Sequence, residues 1–492
     1  MWNKYTCYVA YRDFCDFKSI NLENVLELLV TNVRRINMNK IFKSLVGNTF
    51  IFAIGNGSAL LVSFFMIPIY TSILSTTAFG ISDVINTTVS MLLPIVSLNI
   101  FTAVFRWSLS ESSIKEEVFS NGLFVTMIGA ASSIIIGVFI FLFQVKYAWA
   151  VAFNISGVVL LNFFQNFFRG TDKIRLYAFS GVVGAVANAI LNILLMIVFK
   201  FGLTGYLLSL IISNYTTVLF LVIFGNGFHY WDKNLISRKK IFEMLRFSMP
   251  MIPNSFTWWM TNDISRIIIL IFIGPAGNGL YAIANKLPSM MFTLFSLFQN
   301  AWQISSVKTA KEKDVEKIYS ITFNVVVALM IYVSTLIISV VKIFMHYYVA
   351  PSYYEAWKFI PILLMTAMLS NISGFLGTTY LVAKETKGLF TTTIWGTVVN
   401  IVMSCVLIPV IGVQGAAISG ALGFLVVSSI RLKQTAKWVK IQVNWLGHMF
   451  LILGYFFVSL NEYIYLRPIF LNICIILAMT LFLIRYLRRI RE

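Results

Sequence analysis

Fourteen apolar segments joined by short polar connections leave this chain few folds to choose from. They run near 44–66, 80–104, 119–143, 147–168, 176–199, 203–224, 247–273, 280–305, 320–343, 356–382, 388–410, 413–430, 444–461 and 466–485. Each is long enough to carry an α-helix across a hydrocarbon core, which takes about 20 residues. Within lipid every backbone N–H and C=O must find an internal partner, so such segments must be helices. Of the 492 residues, 12% are charged, against about 25% in soluble domains. The fold expected is therefore an all-α integral membrane bundle.

The connections test this map. With the N-terminus inside, 31 of the 38 basic residues fall on the cytoplasmic side and 5 on the other, leaving Arg266 and Lys286 within spans. Positive charge is retained on the cytoplasmic side of membrane proteins, so both termini are expected there. This distribution accounts for the net charge of +19 without a basic nucleic-acid-binding domain.

Residues 1–37 read as an N-terminal extension ahead of a more natural start at Met38, the alternative being a cytoplasmic surface helix over 21–35. The rest divides into an N-lobe (38–225), a cytoplasmic linker (226–246), a C-lobe (247–430), and two extra spans with a basic tail (431–492). The lobes rest on an internal repeat. "GISDVINTTVSMLLPIVSL" (80–98) and "GLYAIANKLPSMMFTLFSL" (279–297) share six positions: Gly80/Gly279, Asn86/Asn285, Ser90/Ser289, Met91/Met290, Ser97/Ser296 and Leu98/Leu297. Gly202-x-x-Gly205 recurs as Gly412-x-x-Gly415. Two six-helix copies of equal orientation are related by a pseudo-two-fold along the membrane normal, and paired halves of this kind bind substrate between them.

Charges inside spans mark a candidate site, because ionisable groups at membrane depth usually face a cavity or one another. Arg266 lies roughly 10 Å from the outer end of span 7, at 1.5 Å per residue, and Lys286 at similar depth in span 8. Asp263, one turn from Arg266, is placed to pair with it. Asp83 lies at the corresponding level of the first half, and Asn254, Asn262 and Asn285 add uncharged hydrogen-bonding groups. The two cations suggest a water-filled cavity with excess positive charge, able to hold an anion. Arg106 and Arg169, at inner ends of spans 2 and 4, would form its cytoplasmic mouth or serve as loop charges. Pro94, Pro250, Pro253 and Pro288 are candidate bending points, since proline removes a helix hydrogen bond. Pro68 is a candidate helix end.

Other chemistry has little support. No G-x-x-x-x-G-K-[ST] phosphate loop is present, and no connection could hold a soluble catalytic domain. Cys7, Cys15, Cys405 and Cys474 lack metal-ligand spacing, and the latter two are expected to pack within spans. Neither a metal nor a cofactor is expected.

The stretches "RFSMPMIPNS" (246–255), "SRIIILIFIGPAGNGLYAIANKLPSM" (265–290) and "NTFIFAIGNGSALLVSFFMIPIYTSILSTTAFG" (48–80) resemble the polysaccharide-transporter branch of the multidrug/oligosaccharidyl-lipid/polysaccharide exporter superfamily, the O-antigen and capsule repeat-unit flippases. The resemblance covers about residues 38–490, with Gly279, Tyr281, Ala284 and Lys286 matching a G-x-Y-x-x-A-x-K element. It implies a non-enzymatic flippase moving undecaprenyl-diphosphate-linked oligosaccharide to the outer leaflet by alternating access. It also implies two lobes around a cationic cavity, and a polysaccharide polymerase and a chain-length regulator as partners. The family usually places Asp directly before the span-7 Arg; here Ser265 precedes Arg266. A lipid II or sporulation-type flippase and a cation-coupled multidrug exporter are the alternatives.

Overall fold

The computed structural model describes residue 57 and residues 60–110, 113–171, 173–309, 314–383, 385–464 and 469–491. The expectations placed on residues 1–37, and on Cys7 and Cys15, lie outside these. Helices dominate: α1 (Leu60–Ile73), α2 (Thr76–Val96), α3 (Ile100–Ser108), α4 (Lys115–Leu142), α5 (Ala148–Gly170), α6 (Ile174–Asn192), α7 (Gly202–Phe224), α8 (Arg238–Ser248), α9 (Ile252–Phe272) and α10 (Pro275–Ala284). Then follow α11 (Lys286–Thr309), α12 (Val315–Ser339), α13 (Val341–Tyr348), α14 (Ile360–Val382), α15 (Thr386–Ile411), α16 (Val413–Thr435), α17 (Trp445–Ile464) and α18 (Ile469–Arg491).

Among the described residues, nine helices are long and apolar enough to cross a membrane, and Leu60–Ile73 and Phe470–Tyr486 are shorter apolar helices. The remaining expected spans depart for visible reasons. Asp263 and Arg266 dilute α9, Asn461 and Glu462 dilute α17, and span 8 is divided where α10 ends and α11 begins at Lys286. Span 2 is also divided: Leu98 and Asn99 have φ of 49° and 51°, a left-handed conformation uncommon for residues with a side chain. Pro94 stays inside α2, and Pro68 lies inside α1 rather than ending it.

α5 sits at the centre of the first half, packing on α2, α3, α4, α6 and α7. In the second half α9 packs on α10, α15 and α16, while α14 packs on α11, α12 and α16. The terminal hairpin α17–α18 rests on α12. α2 joins the halves, lying against both α9 and α10.

The sequence repeat reappears as matched geometry. A Cβ on Gly80 would lie 1.8 Å from the Pro275 carbonyl oxygen, and one on Gly279 would lie 2.0 Å from that of Thr76. Each glycine thus meets the backbone one turn before its counterpart, so α2 and α10 cross in contact that only glycine permits. The second pair agrees. Gly202 and Gly412 adopt φ of 52° and 65° at turns, and a Cβ on Gly205 or Gly415 would press on the Leu195 or Leu407 backbone.

The linker is part of the first half. Asn121 accepts from the Ser237 N–H at 2.8 Å and donates to the Leu235 carbonyl at 2.8 Å. Ser120 accepts from the Asp232 N–H, and Met244 of α8 is fully buried among Phe119, Phe163 and Phe167. Pro250 falls in a 3-10 turn (Met249–Met251) between this block and α9, and Pro253 in the first turn of α9. Pro288 lies in the first turn of α11, where proline removes no helix hydrogen bond.

Two further readings are corrected. Arg431, counted as a loop charge, lies inside α16, near its C-terminal end, and is 6% exposed. It donates to Thr392, Thr393 and Ser373 side chains and to the Ser373 and Leu389 carbonyls, pinning α14 and α15 together. Cys405 and Cys474 are exposed rather than packed.

Gly80→Ala and Gly279→Ala are each expected to destabilise the protein by about 1–3 kcal/mol, the usual penalty of overpacking. Thermal unfolding of the purified variants should show a clear loss, while Ser90→Ala, an exposed position, should unfold as wild type does.

Candidate functional site

At the α2–α10 crossing, one turn beyond Gly80, Asp83 meets two polar side chains from the other half. Arg266 Nη1 donates to Asp83 Oδ1 at 2.7 Å. Asn278 Nδ2 donates to Asp83 Oδ2 at 3.1 Å and to the Gly80 carbonyl at 3.2 Å. Both carboxylate oxygens are thereby satisfied, as a buried ion pair requires. Gly274, at φ 95°, makes the abrupt turn that brings the first turn of α10 and its fully buried Asn278 back against α2.

The pairing expected along α9 is the weaker one. Arg266 Nε lies 3.4 Å from Asp263 Oδ1 and forms no hydrogen bond there. Asp263 is left with that single long contact among the described residues. The sequence compared depths but did not show that Asp83 would reach across the halves. Once it does, Asp83, Asp263, Arg266 and Lys286 form a cluster of two anions and two cations, which corrects the expected positive excess at this level.

Lys286 stands apart within the cluster. It is the first residue of α11, half-buried, and lies within electrostatic reach of Asp83 and Arg266. It makes no hydrogen bond or ion pair among the described residues. Tyr206 and Tyr281, both buried, flank the group.

The other expected residues are dispersed. Asn285 ends α10, where its carbonyl accepts from Ser289 Oγ. Asn262, one residue before Asp263, donates to the Trp258 carbonyl and is half-buried. Asn254 is exposed in the first turn of α9. Arg106 lies in the last turn of α3, its guanidinium 4.5 Å from the Phe247 ring of α8. It does not join the cluster.

Sequence reasoning missed what holds α9 in place. Trp259 Nε1 donates to the Thr87 carbonyl at 3.1 Å, and Asn99 Nδ2 to Ser255 Oγ at 3.1 Å, both across the halves. Behind α9, Thr261 meets Thr397, and Ser265 meets Asn400 and Ser404. Asn278 was hidden in a Gly-Pro-Ala-Gly turn, although its neighbour Gly279 already marked the repeat.

The fold is that of multi-pass transporters. A lipid II flippase, MurJ, in an inward closed conformation aligns with a TM-score of 0.63 and 12% identity, covering 89% of this chain and 97% of that one. An inward-facing multidrug resistance transporter of the MATE family, in the MOP superfamily, aligns at 0.62 and 14%, covering 78% and 94%. A MOP superfamily transporter from Pyrococcus furiosus Vc1, described by the reverse polarity of its binding pocket, aligns at 0.55 and 13%, covering 80% and 96%. No curated protein matches this chain. The family described as "Polysaccharide biosynthesis protein" matches residues 45–303, and the chain belongs to that family.

A double-mutant cycle on Asp83→Asn and Arg266→Gln should give a coupling of about 0.5–3 kcal/mol in unfolding, the range for residues in direct contact. The same cycle on Asp263→Asn and Arg266→Gln should give a smaller value. Equal couplings would contradict the geometry.

Proposed function

We propose that this protein is a flippase for polyprenyl-diphosphate-linked oligosaccharide in the cytoplasmic membrane, working by alternating access of its two halves. The observation that carries the reading is Lys286, a half-buried ammonium without a partner among the described residues, beside an arginine already shared by two carboxylates. Membership in a polysaccharide biosynthesis family and the transporter fold support it. The alternation of basic residues puts both termini in the cytoplasm and the Thr76/Pro275 end outward. That end is held shut by the glycine crossing and Asp83–Arg266, so cargo enters from the cytoplasmic side.

A diphosphate reaching Lys286 competes with Asp83 for Arg266. Exchange of carboxylate for phosphate on Arg266 would release α2 from α9 and unlatch the outer end. Shifting a two-state equilibrium from 1:99 to 99:1 takes about 5.5 kcal/mol of differential binding. One charge-assisted hydrogen bond contributes about 1.5–3 kcal/mol, so one cation is too few and two are of the right order. The guanidinium suits phosphate because its planar fork donates in parallel. In the cell, a polysaccharide polymerase and a chain-length regulator would act on the delivered cargo. A second reading, a flippase for lipid II itself, is favoured by the 89% coverage with MurJ, which extends beyond the 78–80% of the other neighbours.

Lys286→Gln removes the unpaired charge and leaves Asp83–Arg266 in place. It should fold normally yet lose most complementation of a surface-polysaccharide transport mutant. Full complementation by Lys286→Gln together with Arg266→Gln would refute the assignment, and drug sensitivity of the deletion strain would favour an exporter of small cations.

A further inference from the structure

The inner half of α5 is divided lengthwise. At 100° per residue, Phe163, Phe164, Phe167 and Phe168 share one face, and all four are buried in the aromatic core with Phe119. Asn162, Gln165 and Asn166 fall on the opposite face and are half-buried. Three primary amides turned toward lipid would be expensive, since polar groups in hydrocarbon lack partners, so this face borders a hydrated space.

Polar groups in membrane helices often act as glue between helices, but that role would consume them in cross-helix bonds. Asn162 Nδ2 donates only to the Val158 carbonyl and Asn166 Nδ2 only to that of Asn162, both on their own helix. Their Oδ1 atoms and second N–H groups have no partner among the described residues. Gln165 alone bonds across, from Nε2 to Ser180 Oγ of α6 at 3.2 Å. Two turns farther along, Asn154 Nδ2 donates to Asn86 Oδ1 at 3.2 Å, and Asn86 follows Asp83 by one turn of α2. The amides therefore lead from the charged cluster along α5 for roughly 12–18 Å, at 1.5 Å per residue.

From this arrangement we propose that the amide face of α5, carried by Asn162, Gln165 and Asn166, is a binding track for the hydroxyl and acetamido groups of a neutral oligosaccharide. It rests on the reading of the cargo as a lipid diphosphate bearing sugar, and names the part of the protein that would hold the sugar. A side-chain amide presents an acceptor and two donors together, which matches neighbouring hydroxyls that both donate and accept. Uncharged amides also bind weakly enough to release what they carry. The diphosphate lies at Lys286 and Arg266, and the sugars extend from it toward the cytoplasmic end of α5.

Protein in nanodiscs would be tested for binding of two probes, undecaprenyl diphosphate and the same lipid carrying an oligosaccharide with N-acetylhexosamine. Wild type should bind the glycosylated probe at least tenfold more tightly. Asn162→Leu/Gln165→Leu/Asn166→Leu should abolish this preference with affinity for the bare lipid unchanged, and Asn162→Gln should keep it. A triple variant that retains the preference, or that loses both lipids while unfolding like wild type, overturns the track. Wild type that binds neither lipid overturns the cargo reading and the track with it.

Discussion

The Asp83–Arg266 ion pair lies where the two halves touch most closely, and the rest of the arrangement follows from that contact. An arginine inside an apolar span needs a counter-ion, and the one it finds belongs to the other half of the molecule. Gly80 and Gly279 make this possible. Without side chains, they let α2 and α10 cross with backbone against backbone, which brings Asp83 within 2.7 Å of Arg266 and Asn278 onto the same carboxylate. Tyr348, Ala350 and Tyr353 seal the same end by bonding to the Phe64 carbonyl, the Thr71 hydroxyl and the Leu74 carbonyl of the first half. The seal combines close packing with charge pairing, and under the proposed function an anionic cargo would replace the latter.

Alternating access, as proposed, requires a place where the halves can move against each other. The linker is bonded to α4 through Ser120 and Asn121, contacts that would carry residues 227–248 along with the first half. The 3-10 turn Met249–Met251, with Pro250, is where we propose the bend lies, and it adjoins the left-handed break at Leu98 and Asn99. Ser248 Oγ donates to the Leu98 carbonyl at 2.8 Å, tying the two breaks together. A bend at one would therefore be felt at the other, and both lie at the opposite end of α2 from the seal.

The sequence made the membrane class plain, because apolar length and the placement of Lys and Arg are one-dimensional properties. The repeat was legible from few residues because Gly80/Gly279 and Gly202/Gly412 do work that no other residue can. The charged cluster was legible in membership but not in pairing. Asp263 was the obvious partner for Arg266 by helical spacing, yet spacing says nothing about which helix lies across the interface. Arg431 misled for a related reason: a cation next to a basic loop counts as a loop charge until the helices that bury it are known. Asn162, Gln165 and Asn166 drew no notice, since amides carry neither charge nor periodic hydropathy.

The central claim is that the sealed Thr76/Pro275 end is one of two states through which transport passes. The most direct test is a reversible cross-link across it: Thr71→Cys with Ala350→Cys, in a protein lacking its four natural cysteines. In the structure the Ala350 N–H donates to Thr71 Oγ1 at 3.2 Å. Oxidation should arrest delivery of lipid-linked oligosaccharide to the outer leaflet, and reduction should restore it. Undiminished delivery by fully cross-linked protein would contradict the account.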